Sequence, residues 1–209
     1  MMKPLFFSLL VALGISALCH GSETPEEVAH TYIRALADSQ LNLVADEMHP
    51  AALERFKAIL SGIAQAITSA PAERKPSPKL VSALFGDGGV ESVKDSPPRE
   101  TFVRFMSNLT TFLPQIREMS AGTEHEIIGH VDEGGNITHV VFRATLKRGK
   151  TELTKMDVLS LKRDGEEWKV LLTDDMEGLI LNLGQQLTAP RPPTHPPGQP
   201  TPAPGPATK

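Results

Sequence analysis

From about residue 124 the apolar residues change period, from the three-and-four steps of a helix to alternation, and the alternation lasts to about residue 174. Four strands are predicted there, at 124–132, 137–147, 151–162 and 166–174. They are separated by Gly134-Gly135, Arg148-Gly149 and Asp164-Gly165, each with a glycine to supply the positive φ that a two-residue turn needs. Turns that short can join only antiparallel neighbours. The second half of the chain is therefore a meander, and the first half has to cover one of its faces.

The first half reads as helices. Thr24-Pro25-Glu26-Glu27 has the order of an N-cap, a proline at the first helical position and a capping-box glutamate. Val28, Tyr32 and Leu36 follow at helical spacing. "SQLNLVADEM" is a second short helix, and Pro50 opens a third with Leu53, Phe56, Leu60, Ile63 and Ile67 as its stripe. The stretch 70–96 reads as a loop: "SAPAERKPSPK" is rich in proline, and "LVSALFGDGG" holds at most two helical turns. Ser96-Pro97-Pro98 opens a further helix that Pro114 should kink or end, and a short helix is expected after Asp175. Helices followed by an antiparallel meander give an α+β domain over 24–183, with helices on one face of the sheet.

At the N-terminus, Lys3 precedes an apolar run from Leu5 to Leu18 and then small residues. This is the pattern of a secretory signal peptide over 1–21, so an exported protein, periplasmic or secreted, is expected. Leu18 and Ser16 match a lipidation site at Cys19 poorly, which argues against a lipid anchor. The sole cysteine is Cys19, so the mature chain would have neither disulfide nor thiolate metal site. Residues 189–209 are mostly proline with small residues and are expected to be a disordered tail. A net charge of −4 without a basic stripe argues against nucleic acid as a partner.

Two-residue turns also assign faces. With the turns placed as above, His130 lies opposite His139, Ile128 opposite Val141 and Glu126 opposite Arg143. Ile127, Val131, Val140, Phe142 and Leu146 then face the helices. So do Leu153, Asp157, Leu159 and Leu161, followed by Trp168, Val170 and Leu172, with Trp168 paired to Leu161 as a core filler. Asp157 is the anomaly, a carboxylate among apolar neighbours near Val140, where burial would be costly. A bulge or a longer turn at Arg148-Gly149-Lys150 would instead turn it outward, beside Lys155 or Arg143.

"PEEVAHTYIRALADSQLNLVADEMHP" together with the terminal "DGEEWKV" hairpin resembles the NTF2-like superfamily, the cone-shaped fold of ketosteroid isomerase and polyketide-cyclase-like proteins. The resemblance implies a curved antiparallel sheet wrapped by N-terminal helices. For an isomerase it implies an oxyanion pair, with Tyr32 as the helix-one tyrosine and Asp157 as the strand aspartate; that catalytic arrangement is a known case. The aspartate base of that pattern has no counterpart here, since "MHPAALERF" stands in its region. His49 or His125 would have to serve instead, although His49 also fits a helix cap. His130 and His139 read as solvated, and no metal or cofactor motif is present.

The functional expectation is a non-catalytic module that binds a small apolar ligand or a protein partner, with Tyr32, Val140, Phe142, Asp157 and Trp168 lining its concave side. A homodimer through the sheet is a further option. The competing expectation is an isomerase, dehydratase or cyclase using Tyr32 and Asp157. Export is directly testable: protein recovered from the cell envelope or medium should give an N-terminal sequence starting near His20 or Ser22. A retained Met1 would overturn it.

Overall fold

A computed structural model of the chain describes residues 23–189. The expected signal peptide and all of the Pro-rich tail after Ala189 lie outside the described residues. Seven α-helices come first among the described residues: α1 (Pro25–Ala37), α2 (Leu41–Glu47), α3 (Pro50–Ser69), α4 (Pro78–Phe85), α5 (Ser92–Asp95), α6 (Pro98–Phe112) and α7 (Pro114–Ala121). Strands β1 (Thr123–Gly134), β2 (Ile137–Arg148), β3 (Thr151–Asp164) and β4 (Glu167–Val170) follow, and α8 (Asp174–Thr188) closes the described chain. The strands form one antiparallel sheet in the order β1-β2-β3-β4. This is the expected α+β arrangement, helices first and meander second. Among the described residues no helix is long and apolar enough to cross a membrane.

The helices start where local chemistry tells them to. The Thr24 hydroxyl accepts from the Glu27 N–H at 3.3 Å, and the Glu27 carboxylate accepts from the Thr24 N–H at 2.8 Å, so two otherwise orphaned donors are satisfied reciprocally. Pro50, Pro78, Pro98 and Pro114 all open helices, the one region where a missing N–H costs nothing. Within the loop expected over 70–96, α4 is the two helical turns allowed for "LVSALFGDGG", begun earlier at Pro78, and α5 is an addition. The prolines there punctuate helices as well as loops, and α4 and α5 bury Leu84, Phe85 and Val93 in the core. The rings of Phe85, Phe105, Phe56 and Phe102 meet edge-on in succession, at 5.8, 5.9 and 4.9 Å between centroids.

All three hairpin turns lie one residue later than expected, at Gly135-Asn136, Gly149-Lys150 and Gly165-Glu166. Glycine takes the first turn position each time, with φ of 67°, 63° and 64°, the geometry of a type II′ turn. For β2–β3 and β3–β4 the change moves each pairing by two residues, which preserves the faces. Asp157 therefore opposes Phe142 instead of Val140, and Trp168 opposes Arg163 instead of Leu161, whose partner is Val170.

In β1 two bulges, at Ile127/Gly129 and Asp132/Gly134, intervene. Beyond the first, the register is out by one, so His130 opposes Val140 and Val131 opposes His139. The expected His130–His139 pair does not form, and the two imidazoles lie on opposite faces. Val131, expected beneath the helices, is 60% exposed on the outer face. Nearer the helices Glu126 does oppose Arg143 as expected. β4 also ends sooner than expected, because the chain leaves the sheet after Val170 and caps α8 with Thr173, whose hydroxyl accepts from the Met176 N–H at 3.3 Å.

The final helix is far longer than the short one expected, and its last turn extends past residue 183. Its two glycines obscure it in the sequence, yet they differ in role. At Gly184 a Cβ would lie 2.6 Å from Ile63 Cγ1, so the absent side chain allows α8 to approach α3; at Gly178 a Cβ would meet nothing within 4 Å. Gly178→Ala should therefore stabilise the fold by about 0.5–1 kcal/mol through helix propensity. Gly184→Ala should destabilise it by about 1 kcal/mol, since overpacking against a stiff β-branched neighbour outweighs that gain. Denaturant unfolding of the two variants would show opposite shifts in midpoint; equal shifts would mean that α8 does not pack closely on α3.

Candidate functional site

Under the C-terminal half of α1 the helices stop covering the sheet, and a cavity of about 820 Å³ opens there. Tyr32, Ile33, Leu36 and Ala37 of α1 form one wall, Met119 and Ser120 of α7 another. The sheet contributes Thr123, His125, Phe142 and residues 157–160, and residues 171–176 at the entry to α8 complete the ring. Val158 and Ser160 contribute main chain, since alternation turns their side chains to the outer face, where Ser160 Oγ contacts His139 Nδ1 at 2.9 Å.

Tyr32 is the most enclosed polar residue of the lining, 2% exposed. Helical spacing from Val28 brings it onto the buried face of α1. Its hydroxyl has no hydrogen-bond partner among the described residues, yet no sealed-off side-chain polar atom there is unpartnered. The hydroxyl therefore keeps its remaining surface toward the cavity. Burial raises its pKa far above the ordinary 10, so Tyr32 is a neutral phenol at any physiological pH.

Asp157 lines the same cavity from β3, but it is not the desolvated acid that its apolar neighbours suggested. Its side chain keeps 34% of its surface. One carboxylate oxygen accepts from the Val158 N–H at 2.9 Å, and the other lies 2.9 Å from Lys155 Nζ. Lys155 sits two residues away on the same face, and it also reaches Asp175 at 3.2 Å. Asp157 thus faces the concave side and has Lys155 as its partner, combining the two arrangements the sequence left open.

His125 stands on β1 with its ring 5.9 Å from that of Phe142. Desolvation there lowers its pKa below the ordinary 6.5. The other expected site residues lie elsewhere. Val140 is wholly buried in the core. Trp168 is half-buried at the far edge of the sheet, with the Arg163 guanidinium 4.4 Å above its ring. His49 caps α3, its Nδ1 accepting from the Ala51 N–H at 3.1 Å.

No group of three or more metal-binding side chains occurs among the described residues. His130 contacts Glu26, and His139 contacts Glu133. Asp174 and Asp175 were not anticipated as lining charges, nor Lys155 as the cation that pairs with Asp175 beside them. "TDD" does signal a helix start, with Thr173 as the cap and the aspartates in the first turn. Which cavity that turn borders depends on how α8 folds back.

No family model and no curated protein matches the chain. Among solved structures it is similar to a crystal structure of an NTF-2 like protein of unknown function from Shewanella oneidensis MR-1, at 12% identity and a TM-score of 0.35, over 70% of this chain and 91% of that one. A likeness that distant, to a protein whose own function is unknown, assigns no activity here.

The two β1 histidines should titrate in opposite directions. His125 is held neutral by desolvation, so its contribution to stability falls as pH drops below 6.5. His130 has its pKa raised chiefly by its hydrogen bond to Glu26, whose own is lowered by the same contact. That pair stabilises the fold most between the ordinary values of 4.5 and 6.5, and the benefit is lost as pH rises through the raised value for His130 or falls through the lowered one for Glu26. NMR titration should place His125 below 6.5 and His130 above it, with Glu26→Gln returning His130 toward 6.5. Coincident titrations would contradict the assigned surroundings.

Proposed function

We propose that the chain is an exported binding module whose cavity holds a small, largely apolar molecule without transforming it. The observation that carries this reading is the Tyr32 hydroxyl, enclosed, neutral and without a partner among the described residues, on the wall of a cavity of about 820 Å³. Ile33, Leu36, Ala37, Phe142, Leu159 and Met176 supply apolar walls around it. A concavity of this size, in which apolar walls alternate with polar groups, suits a drug-sized ligand that is apolar over part of its surface.

The catalytic alternative has one observation in its favour, that Tyr32 and Asp157 border the same cavity. An oxyanion pair needs a protonated acid as donor. Asp157 instead accepts from the Val158 N–H and pairs with the Lys155 ammonium, which favours the acceptor role. Ligand retention is therefore the better supported of the two.

The test uses the uncharged apolar fluorophore N-phenyl-1-naphthylamine. Saturable one-to-one binding is expected, weakened about tenfold by Ala37→Phe, which fills the cavity from the last turn of α1 with little effect on the core. Absence of saturable binding by the parent protein, or unchanged binding in a folded Ala37→Phe variant, would overturn the proposal.

A further inference from the structure

The charges around the cavity restrict the occupant further, given the binding reading above. Asp157, Asp174 and Asp175 all line the opening. Among the described residues the ammonium that pairs with them is that of Lys155, which spans Asp157 and Asp175. Asp174 has no ion-pair partner among the described residues. His125 adds no charge near neutral pH, because desolvation lowers its pKa. Three carboxylates thus meet one ammonium at the mouth of a cavity whose low-dielectric protein walls concentrate the resulting field.

The helix end beside them strengthens the point. A helix N-terminus ordinarily attracts anions. In α8 the first turn already carries Asp174, Asp175 and Glu177, and Thr173 takes the Met176 N–H. The positive end of the dipole is met by the protein's own carboxylates, with Glu177 turned aside to Arg55. An anionic ligand would find both the dipole and Lys155 engaged and would be repelled by the remaining charge. Tyr32 is an independent sign of an occupant with a polar atom, since its enclosed hydroxyl has no partner among the described residues.

We infer that the cavity takes an apolar molecule carrying a protonated amine, its hydrocarbon against Phe142, Leu36 and Ile33 and its ammonium at the mouth among Asp157, Asp174 and Asp175. The Lys155 ion pairs do not block this. Lys155 is 62% exposed, and surface ion pairs of that kind are weak and exchange readily.

Decylamine, decanol and decanoate share one hydrocarbon chain and differ in charge, so their displacement of N-phenyl-1-naphthylamine from the full chain at pH 7 and low salt reads the preference directly. Decylamine should displace the fluorophore at about tenfold lower concentration than decanol, with decanoate weakest. The order should flatten at high salt and in the Asp174→Asn/Asp175→Asn double variant. Should that variant fail to fold, the salt series on the parent protein still decides. Decanoate binding as tightly as decylamine, or an amine preference indifferent to salt, would overturn the inference while leaving the apolar cavity standing. Failure of the fluorophore itself to bind would remove both.

Discussion

Three glycines fix the phase of the sheet, and the cavity depends on that phase. Gly135, Gly149 and Gly165 each occupy the first position of a two-residue turn with positive φ, a conformation that strains any residue bearing a Cβ. Turns of this hand match the twist of the flanking strands. Once the turn is set, alternation decides every face along β2 and β3. Val140, Leu159 and Leu161 point into the core, while Phe142, Lys155 and Asp157 point the same way a few residues farther out. A slip of a single residue would exchange the two faces.

How far the helices extend then decides what each inward-facing residue becomes. Val140, Leu159, Leu161 and Val170 are buried where helices cover them. Leu153 is on the same face of β3 yet 63% exposed, because no described helix covers that end. The cavity lies between these regimes. Tyr32 belongs to the covered side, with its hydroxyl at the edge, and Asp157 to the open side, where solvent and Lys155 make a carboxylate tolerable. The same face of one strand thus holds core, cavity floor and surface in turn.

The bulges in β1 act in a different way. Each adds a residue to one strand only and reverses the faces beyond it. His130 is thereby brought to the helix side, where it meets Glu26 at the start of α1. Val131 is sent outward, next to His139. The sheet edge and the first helix are tied by a contact made from the stretch of β1 that lies between two irregularities in the ladder.

Most of the local structure was legible in the sequence, because the signals are short-range. The Thr24 capping box, the prolines that open helices, the change of period and the glycine turns all act within a few residues, and together they determined an α+β chain with an antiparallel meander. The faces of Asp157 and Trp168 were also legible, since moving a turn by one residue shifts pairings by two and leaves the pleat unchanged. What only the tertiary structure decided is whatever depends on distant segments meeting. The β1 bulges are marked in the sequence only by Ile127-Ile128-Gly129 and by Gly134, and which residues they turn inward depends on the partner strand. Lys155 and Asp175 pair across the gap between β3 and α8, and the close approach of α8 to α3 rests on Gly184 fitting against Ile63. Whether Asp157 would be a buried acid or the paired edge of a cavity turned on where α1 and α8 end above the sheet, and no local pattern of residues encodes that distance.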